Sequence, residues 1–285
     1  MQKLLLTNLV CFLSFISFQA QEFKGIAEYQ SKTKLDIQLD SSRIPKDRMA
    51  DIKEMMKRQL EKKFILTFNK YEALYKEEEK LEQPSGGGGM RMMMGGFSQG
   101  IYYKNLKDKR YTRQIEAFSK EFLVKDTLKV YDWKLEDESK MIGEHLCFKA
   151  TTTKEVPNIR FNSPNADSSK KENPNESEIA KTKQIIVSAW YTPEIPINNG
   201  PSDYWGLPGL ILELNEDNTI FLCTKIIINP KESIEIKEPN KGKIVSQKEF
   251  DKILEEKMKE MQEMYGGDQR KGEGNGGGHR LMIKM

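Results

Sequence analysis

Ile185 to Ile228 reads IIVSAWYTPEIPINNGPSDYWGLPGLILELNEDNTIFLCTKIII. Three apolar runs stand out in it: Ile185 to Tyr191, Leu210 to Leu214, and Thr219 to Ile228. Each has strand length and strand composition. Asn215-Glu216-Asp217-Asn218 separates the last two and reads as a hairpin turn. Ile220 to Ile228 is apolar almost throughout, which predicts a strand buried on both faces. Between the first two runs lie Pro193, Pro196, Pro201 and Pro208. Proline fixes φ and removes a donor, so residues 192–209 are not expected to form a ladder strand. Gly200, Gly206 and Gly209 permit backbone conformations closed to other residues, and Tyr191, Tyr204 and Trp205 supply large amphipathic surfaces. The stretch reads as a rigid aromatic loop joining two core strands, either a recognition element or a plug at one end of the sheet that buries Trp205 and Leu207 in the core.

Further strands are predicted on both sides of it. Phe23 to Leu39 reads as a first strand pair, with Leu35, Ile37 and Leu39 in strict alternation. Phe64, Leu66 and Phe68 alternate, and Tyr71 to Tyr75 follows across a turn at Asn69-Lys70. Ile101 to Tyr103, Tyr111 to Ile115, Phe122 to Val124, Val130 to Leu135 and Cys147 to Thr152 complete the set. Asp137-Glu138 and Ile142-Gly143 read as turns. Two helices are expected. Residues 45–62 carry Pro45 in the first turn and Met49, Ile52, Met56 and Leu60 at helical spacing. Ser246 and Glu249 form a capping box ahead of Phe250, Ile253, Leu254, Met258 and Met261. The expected class is α+β: a mainly antiparallel sheet, one helix near the N-terminus, one C-terminal helix, and disordered insertions.

Lys3 precedes an apolar run from Leu4 to Phe18, the pattern of a secretory signal with cleavage near Ala20. The expected organisation is a signal peptide over 1–20, one β-rich domain over 21–265 with flexible loops at 84–100 and 161–180, and a Gly-rich tail over 266–285. The chain carries 46 basic and 43 acidic residues, a formal net charge of +3. That balance gives no electrostatic argument for nucleic acid. Mean hydropathy is −0.67, and no segment of the mature part reads as a membrane span. Export leaves Cys147 and Cys223 as a candidate disulfide or as two buried thiols.

Gly206-Leu207-Pro208-Gly209-Leu210-Ile211 spells GLPGLI. Ala189-Trp190-Tyr191-Thr192, Ile195-Pro196, Gly200-Pro201 and Tyr204 accompany it. So does the earlier run from Tyr131-Asp132-Trp133-Lys134 to Ile142-Gly143, ending at Cys147 and Ala150. In these residues the chain resembles the GLPGLI family of exported Gram-negative proteins over nearly all of its mature part. The resemblance implies an envelope protein, of a kind often encoded near outer-membrane receptors. It brings no catalytic residues with it.

The residues themselves carry no G-x-S-x-G elbow, P-loop or H-E-x-x-H. The two histidines are His145 and His279. Asp203 and Glu194 are the first carboxylates to consider as an acid/base pair, and nothing in their spacing singles them out. Met90, Met92, Met93 and Met94, in a glycine loop, offer thioethers suited to Cu(I), with His279, Met282 and Met285 as supplements. The leading expectation is a non-catalytic envelope protein, in the periplasm, secreted, or associated with the outer membrane, that needs no cofactor. It binds an outer-membrane receptor or other envelope protein through the Trp190–Ile211 segment, with Tyr191, Tyr204, Trp205 and Leu207 as contact residues. The alternatives are a carrier of an apolar ligand and a methionine-rich copper protein.

Overall fold

The computed structural model describes residues 23–34, 60–78, 100–157 and 182–266. Its strands are β1 (Lys24–Thr33), β2 (Glu61–Asn69), β3 (Glu72–Glu77), β4 (Ile101–Asn105), β5 (Arg110–Ala117), β6 (Lys120–Thr127), β7 (Lys134–Ile142), β8 (His145–Pro157), β9 (Thr182–Thr192), β10 (Leu210–Glu216), β11 (Thr219–Ile228) and β12 (Lys243–Val245). Among the described residues one helical element, α1 (Gln247–Gly266), follows. All twelve strands form one sheet in the order β12-β6-β5-β4-β3-β2-β1-β11-β10-β9-β8-β7. Neighbours pair antiparallel except β12, which runs parallel to β6.

The class is therefore predominantly β, and the α+β expectation with two helices is corrected. Of the helix expected over 45–62, Leu60 is helical, residues 61 and 62 begin β2, and residues 45–59 lie outside the described residues. The β-branched and aromatic run behind them, Phe64 to Phe68, sets the local conformation at the junction. Residues 35–39, the second half of the expected first strand pair, are also outside. So are the signal segment 1–20, loop 161–180, nearly all of loop 84–100, and the tail beyond Gly266. Val130 to Leu135 is mostly irregular, with β7 starting at Lys134. The expected turn at Asp137-Glu138 is instead a register shift between Leu135 and Ser139 inside β7. β11 is not buried on both faces: Phe221 and Cys223 point inward, while Leu222 and Ile228 are exposed.

Inward-facing residues follow the period of two that a pleated strand imposes. Ala27 and Tyr29 on β1, Phe64, Leu66 and Phe68 on β2, and Val187 and Ala189 on β9 are all buried in the core. The sheet curls strongly. Lys104 on β4 and Lys154 on β8 are seven strands apart in the sheet, roughly 33 Å if it were flat. Both nevertheless reach Tyr204. The segment between β9 and β10 fills the inside of that curl. Asn199 and Trp205 form an isolated bridge within it, and Tyr29 of β1 donates to the Ile211 carbonyl at 2.6 Å. At the C-terminal end Ser246 and Glu249 exchange capping bonds. Phe250 is buried edge-on against Phe122, whereas Met258 is exposed.

Candidate functional site

The loop between β9 and β10 alternates inside and outside without being a strand. Ile195, Ile197, Tyr204 and Leu207 are buried, while Pro193, Glu194, Pro196 and Pro208 are exposed. Two glycines make its path possible for different reasons. Gly206 has φ +99, a region that favours glycine. At Gly209 a Cβ would stand 2.1 Å from the Thr192 carbonyl oxygen, so the close approach of two chain segments requires its absence.

Three side chains hold the loop to the sheet. The fully buried Lys104 ammonium donates to the carbonyls of Gly200 and Ser202 at 2.8 Å each, and of Tyr204 at 3.3 Å. Burial pushes its pKa down to about 7, with Asp203 pulling it back up. Tyr131 stacks on Tyr204 at 4.9 Å and donates to the Asp203 carboxylate at 2.5 Å. Lys154 donates to Glu216 at 2.8 Å and lies 3.7 Å from Asp203. Burial alone would raise the Asp203 carboxyl. The Lys154 charge and the Tyr131 hydroxyl outweigh it and hold the group below the usual carboxylate range.

Beside this joint a cavity of about 660 Å³ opens between the two arms of the curl. One wall is Tyr75, Tyr102, Tyr111 and Arg113, from β3, β4 and β5. Tyr102 and Tyr111 stack at 5.0 Å. The facing wall is Lys154, Asp203 and Glu216. Asp126, Thr127, Lys129 and Gln247 stand around the remainder, and Tyr111 donates to the Gln247 side-chain carbonyl at 2.8 Å. Desolvation raises the pKa values of Tyr75, Tyr102 and Tyr111 and lowers that of Arg113. At neutral pH this is a wall of neutral phenols around a guanidinium.

Of the residues expected to contact a partner, Tyr191, Tyr204 and Leu207 lie in the core, at 6%, 0% and 1% exposure. Their side chains face the sheet in this packing. Trp205 is half-buried, and its ring N–H is held by the Lys129 carbonyl at 2.7 Å. Leu210 and Ile211 are buried as the start of β10. Cys147 and Cys223 are separate, buried thiols, and burial raises the pKa of each, to about 11 and about 12. Glu194 and Asp203 have different surroundings. Glu194 is exposed and meets the His145 ring nitrogen at 2.6 Å, whereas Asp203 lines the cavity. Met90, Met92, Met93, Met94 and His279, the copper candidates, fall outside the described residues. Among the described residues no cluster of His, Cys, Asp or Glu is arranged to hold a metal.

Lys104 and Arg113 were not legible as site residues from motif reading. A signal exists in the strand pattern. Lys104 shares the inward phase of β4 with Tyr102, and Arg113 lies between Tyr111 and Ile115 on the inward phase of β5. A cation at a core-facing position of a strand needs a partner or a ligand.

Fold and site together define a curled single-sheet protein that carries a polar, tyrosine-lined cavity. A sequence-family model described as "Protein of unknown function (Porph_ging)" matches residues 133–213, from the start of β7 into β10. No curated protein matches the chain. Two crystal forms of PNGF-II are similar at 11% and 12% identity, each covering 81% of this chain and 32% of its own, with TM-scores of 0.44 and 0.43. The chain thus spans about a third of the length of those structures. LprF from Mycobacterium bovis is similar at 8% identity over 78% of this chain and 90% of its own, with a TM-score of 0.22. Among the described residues no helix is long and apolar enough to cross a membrane.

Proposed function

We propose that this chain is an exported, non-catalytic binding protein of the bacterial envelope that holds a small polar ligand in the cavity between the curled sheet and the β9–β10 loop. The observation that carries the reading is the cavity itself. At about 660 Å³ it falls within the roughly 300–1,000 Å³ range of small-molecule sites. Its lining of phenols, ammonium groups and carboxylates suits a polar guest and argues against an apolar cargo. The non-catalytic part rests on the engagement of the carboxylates. Asp203 and Glu216 are tied to Lys154, and Asp126 accepts from the backbone N–H groups of Thr127 and Gln247. None is placed as a free base. Export rests on the Lys3 and Leu4–Phe18 pattern, and a mature N-terminus near Gln21, read by mass spectrometry, tests it.

Native mass spectrometry tests the binding role. The mature protein is incubated with a small-molecule extract of the native envelope, beside a Thr127→Trp variant that fills the cavity rim. A non-covalent adduct on the wild type that the variant loses is the expected result. Identical spectra for the two proteins refute the cavity as the site.

A second reading keeps a protein partner for the Trp190–Ile211 segment. It is favoured by the exposed rim of Pro193, Pro196 and Pro208 beside the half-buried Trp205. A partner would meet the loop along that rim, and capture by wild type but not by Trp205→Ala tests it.

A further inference from the structure

The cavity contains one partly buried cation without a direct partner. Three carboxylates and three cationic side chains line it. Asp203 and Glu216 share Lys154, and Asp126 is taken up by backbone donors. Lys129 is exposed to solvent and lies over the Tyr131 ring at 5.3 Å. Arg113 remains. Among the described residues its side chain makes no hydrogen bond or ion pair, Asp203 and Asp251 act on it only at longer range, and its Nε is buried without a partner. A partly buried guanidinium left this way is costly. Its five donors form a rigid fork whose natural complement is a planar two-oxygen anion.

A second, independent observation points to the same space. Tyr75, at 1% exposure, also lines the cavity, and its hydroxyl is buried with no hydrogen-bond partner. Buried polar atoms are ordinarily satisfied. Two of the three unsatisfied side-chain atoms among the described residues belong to residues of this one wall. The stacked Tyr102 and Tyr111 rings stand beside them, and Tyr102 is the residue directly opposite Arg113 across the β4–β5 pair.

We infer that the cavity binds a small organic carboxylate, with the Arg113 guanidinium gripping the carboxylate and the Tyr75 hydroxyl donating to a second polar atom of the ligand. The inference rests on the cavity being a ligand site and adds the chemical class of the ligand and its anchor. The three carboxylates Asp203, Glu216 and Asp126 are matched in number by the cations Lys154, Lys129 and Arg113, so the lining presents no net negative charge to such a guest. The rim cation Lys129 adds attraction at the entrance.

The test uses three carboxylates, each paired with its neutral amide: benzoate and benzamide, glucuronate and glucuronamide, and acetyl-alanyl-alanine and its amide. Inorganic phosphate is a further probe. Thermal shift and calorimetry at ~10 mM probe reveal dissociation constants of ~1 mM and tighter. The expected result is that at least one carboxylate raises the melting temperature, and neither its amide nor phosphate does so equally. Arg113→Met should weaken that carboxylate at least tenfold. It should also leave the free protein as stable as the wild type or more so, since it removes a partly buried charge that has no direct partner. A cation with a purely structural role would give a loss of stability instead. Tyr75→Phe preserves the packing, so it keeps the question answerable if Arg113→Met does not fold, and it should weaken the same ligand severalfold. Equal binding of carboxylates and amides would overturn the anion anchor while leaving the cavity as a binding site. Equal binding of phosphate would overturn the carboxylate assignment, and retained affinity in both variants would place the anchor elsewhere. Binding of no probe by the wild type, together with unchanged envelope-extract spectra for Thr127→Trp, would remove the cavity reading as well.

Discussion

Tyr204→Ala is the sharpest probe of the loop's place in the fold. The Tyr204 side chain is fully buried. Its ring stacks on Tyr131 at 4.9 Å and lies 6.3 Å from Trp133. The Lys154 ammonium sits 4.8 Å above it and donates to its hydroxyl at 3.2 Å. Truncating a buried aromatic to alanine costs about 3–5 kcal/mol, and the stacked partner places this site in the upper half of that range. For a domain of this size each kcal/mol lowers the melting temperature by ~2–4 °C, so a fall of ~8–20 °C is expected. Tyr204→Phe keeps the ring and loses the hydroxyl's contacts with Lys154 and Glu216, at about 1 kcal/mol. Urea unfolding followed by tryptophan fluorescence measures both, since Trp133 and Trp205 lie against the loop. If Tyr204→Ala stays within ~1 kcal/mol of wild type, the ring is not core and the packing described above is wrong.

Trp205→Ala should be milder, about 1–2 kcal/mol, because the half-buried ring gives up one hydrogen bond and a limited contact. A loss as large as that of Tyr204→Ala would contradict its rim position. Gly206→Ala strains a positive φ, at about 1–2 kcal/mol. Gly209→Ala drives a Cβ into the Thr192 backbone and should cost more, and denaturant midpoints showing the reverse order would contradict the loop geometry. Stability should also pass through a maximum with pH. Between about 7 and ~8.5 the unfolded chain holds a proton on Lys104 that the folded chain lacks, so stability rises. Above pH ~8.5 the buried thiols Cys147 and Cys223, and above ~10 the buried tyrosines, Tyr29, Tyr75, Tyr102, Tyr131 and Tyr204 among them, ionise more readily unfolded, so stability falls. Lys104→Met should abolish the rise in urea midpoint, and a wild-type midpoint that declines steadily from pH 7 would refute the account.

Much of the sheet was readable because strand alternation is a local property. Phe64, Leu66 and Phe68 announce an inward face from their spacing alone, and the hairpin at 215–218 is written in its turn residues, with Asp217 at φ 51. The capping pair Ser246 and Glu249 is equally local, and so is the exclusion of a ladder strand by the prolines at 193, 196, 201 and 208. The helix expected over 45–62 shows the limit of such signals at the junction with β2, where a periodic pattern ran on into residues that join a strand. The residues left the loop's path open between core and surface, and gave no sign that Tyr204 rather than Trp205 is its buried aromatic. Aromatic residues in a proline-rich loop look the same whether they face solvent or a core. Arg113 and Lys104 were missed for a related reason, since an isolated cation in a strand reads as solvent-facing until the phase of its neighbours is considered.

By itself the sequence determined which segments extend and where they turn, and that 192–209 must leave the ladder, because φ restriction, missing donors and side-chain alternation act within a few residues. Only the tertiary structure decided where that segment goes. Curling the sheet brings β4 and β8 to opposite sides of the same loop, so Lys104 and Lys154, 50 residues apart in the chain, meet at Tyr204. The same curl encloses the cavity and strands the Arg113 guanidinium inside it. Those juxtapositions depend on the summed twist of many strands and on contacts between residues far apart in the chain, a quantity that no local pattern encodes.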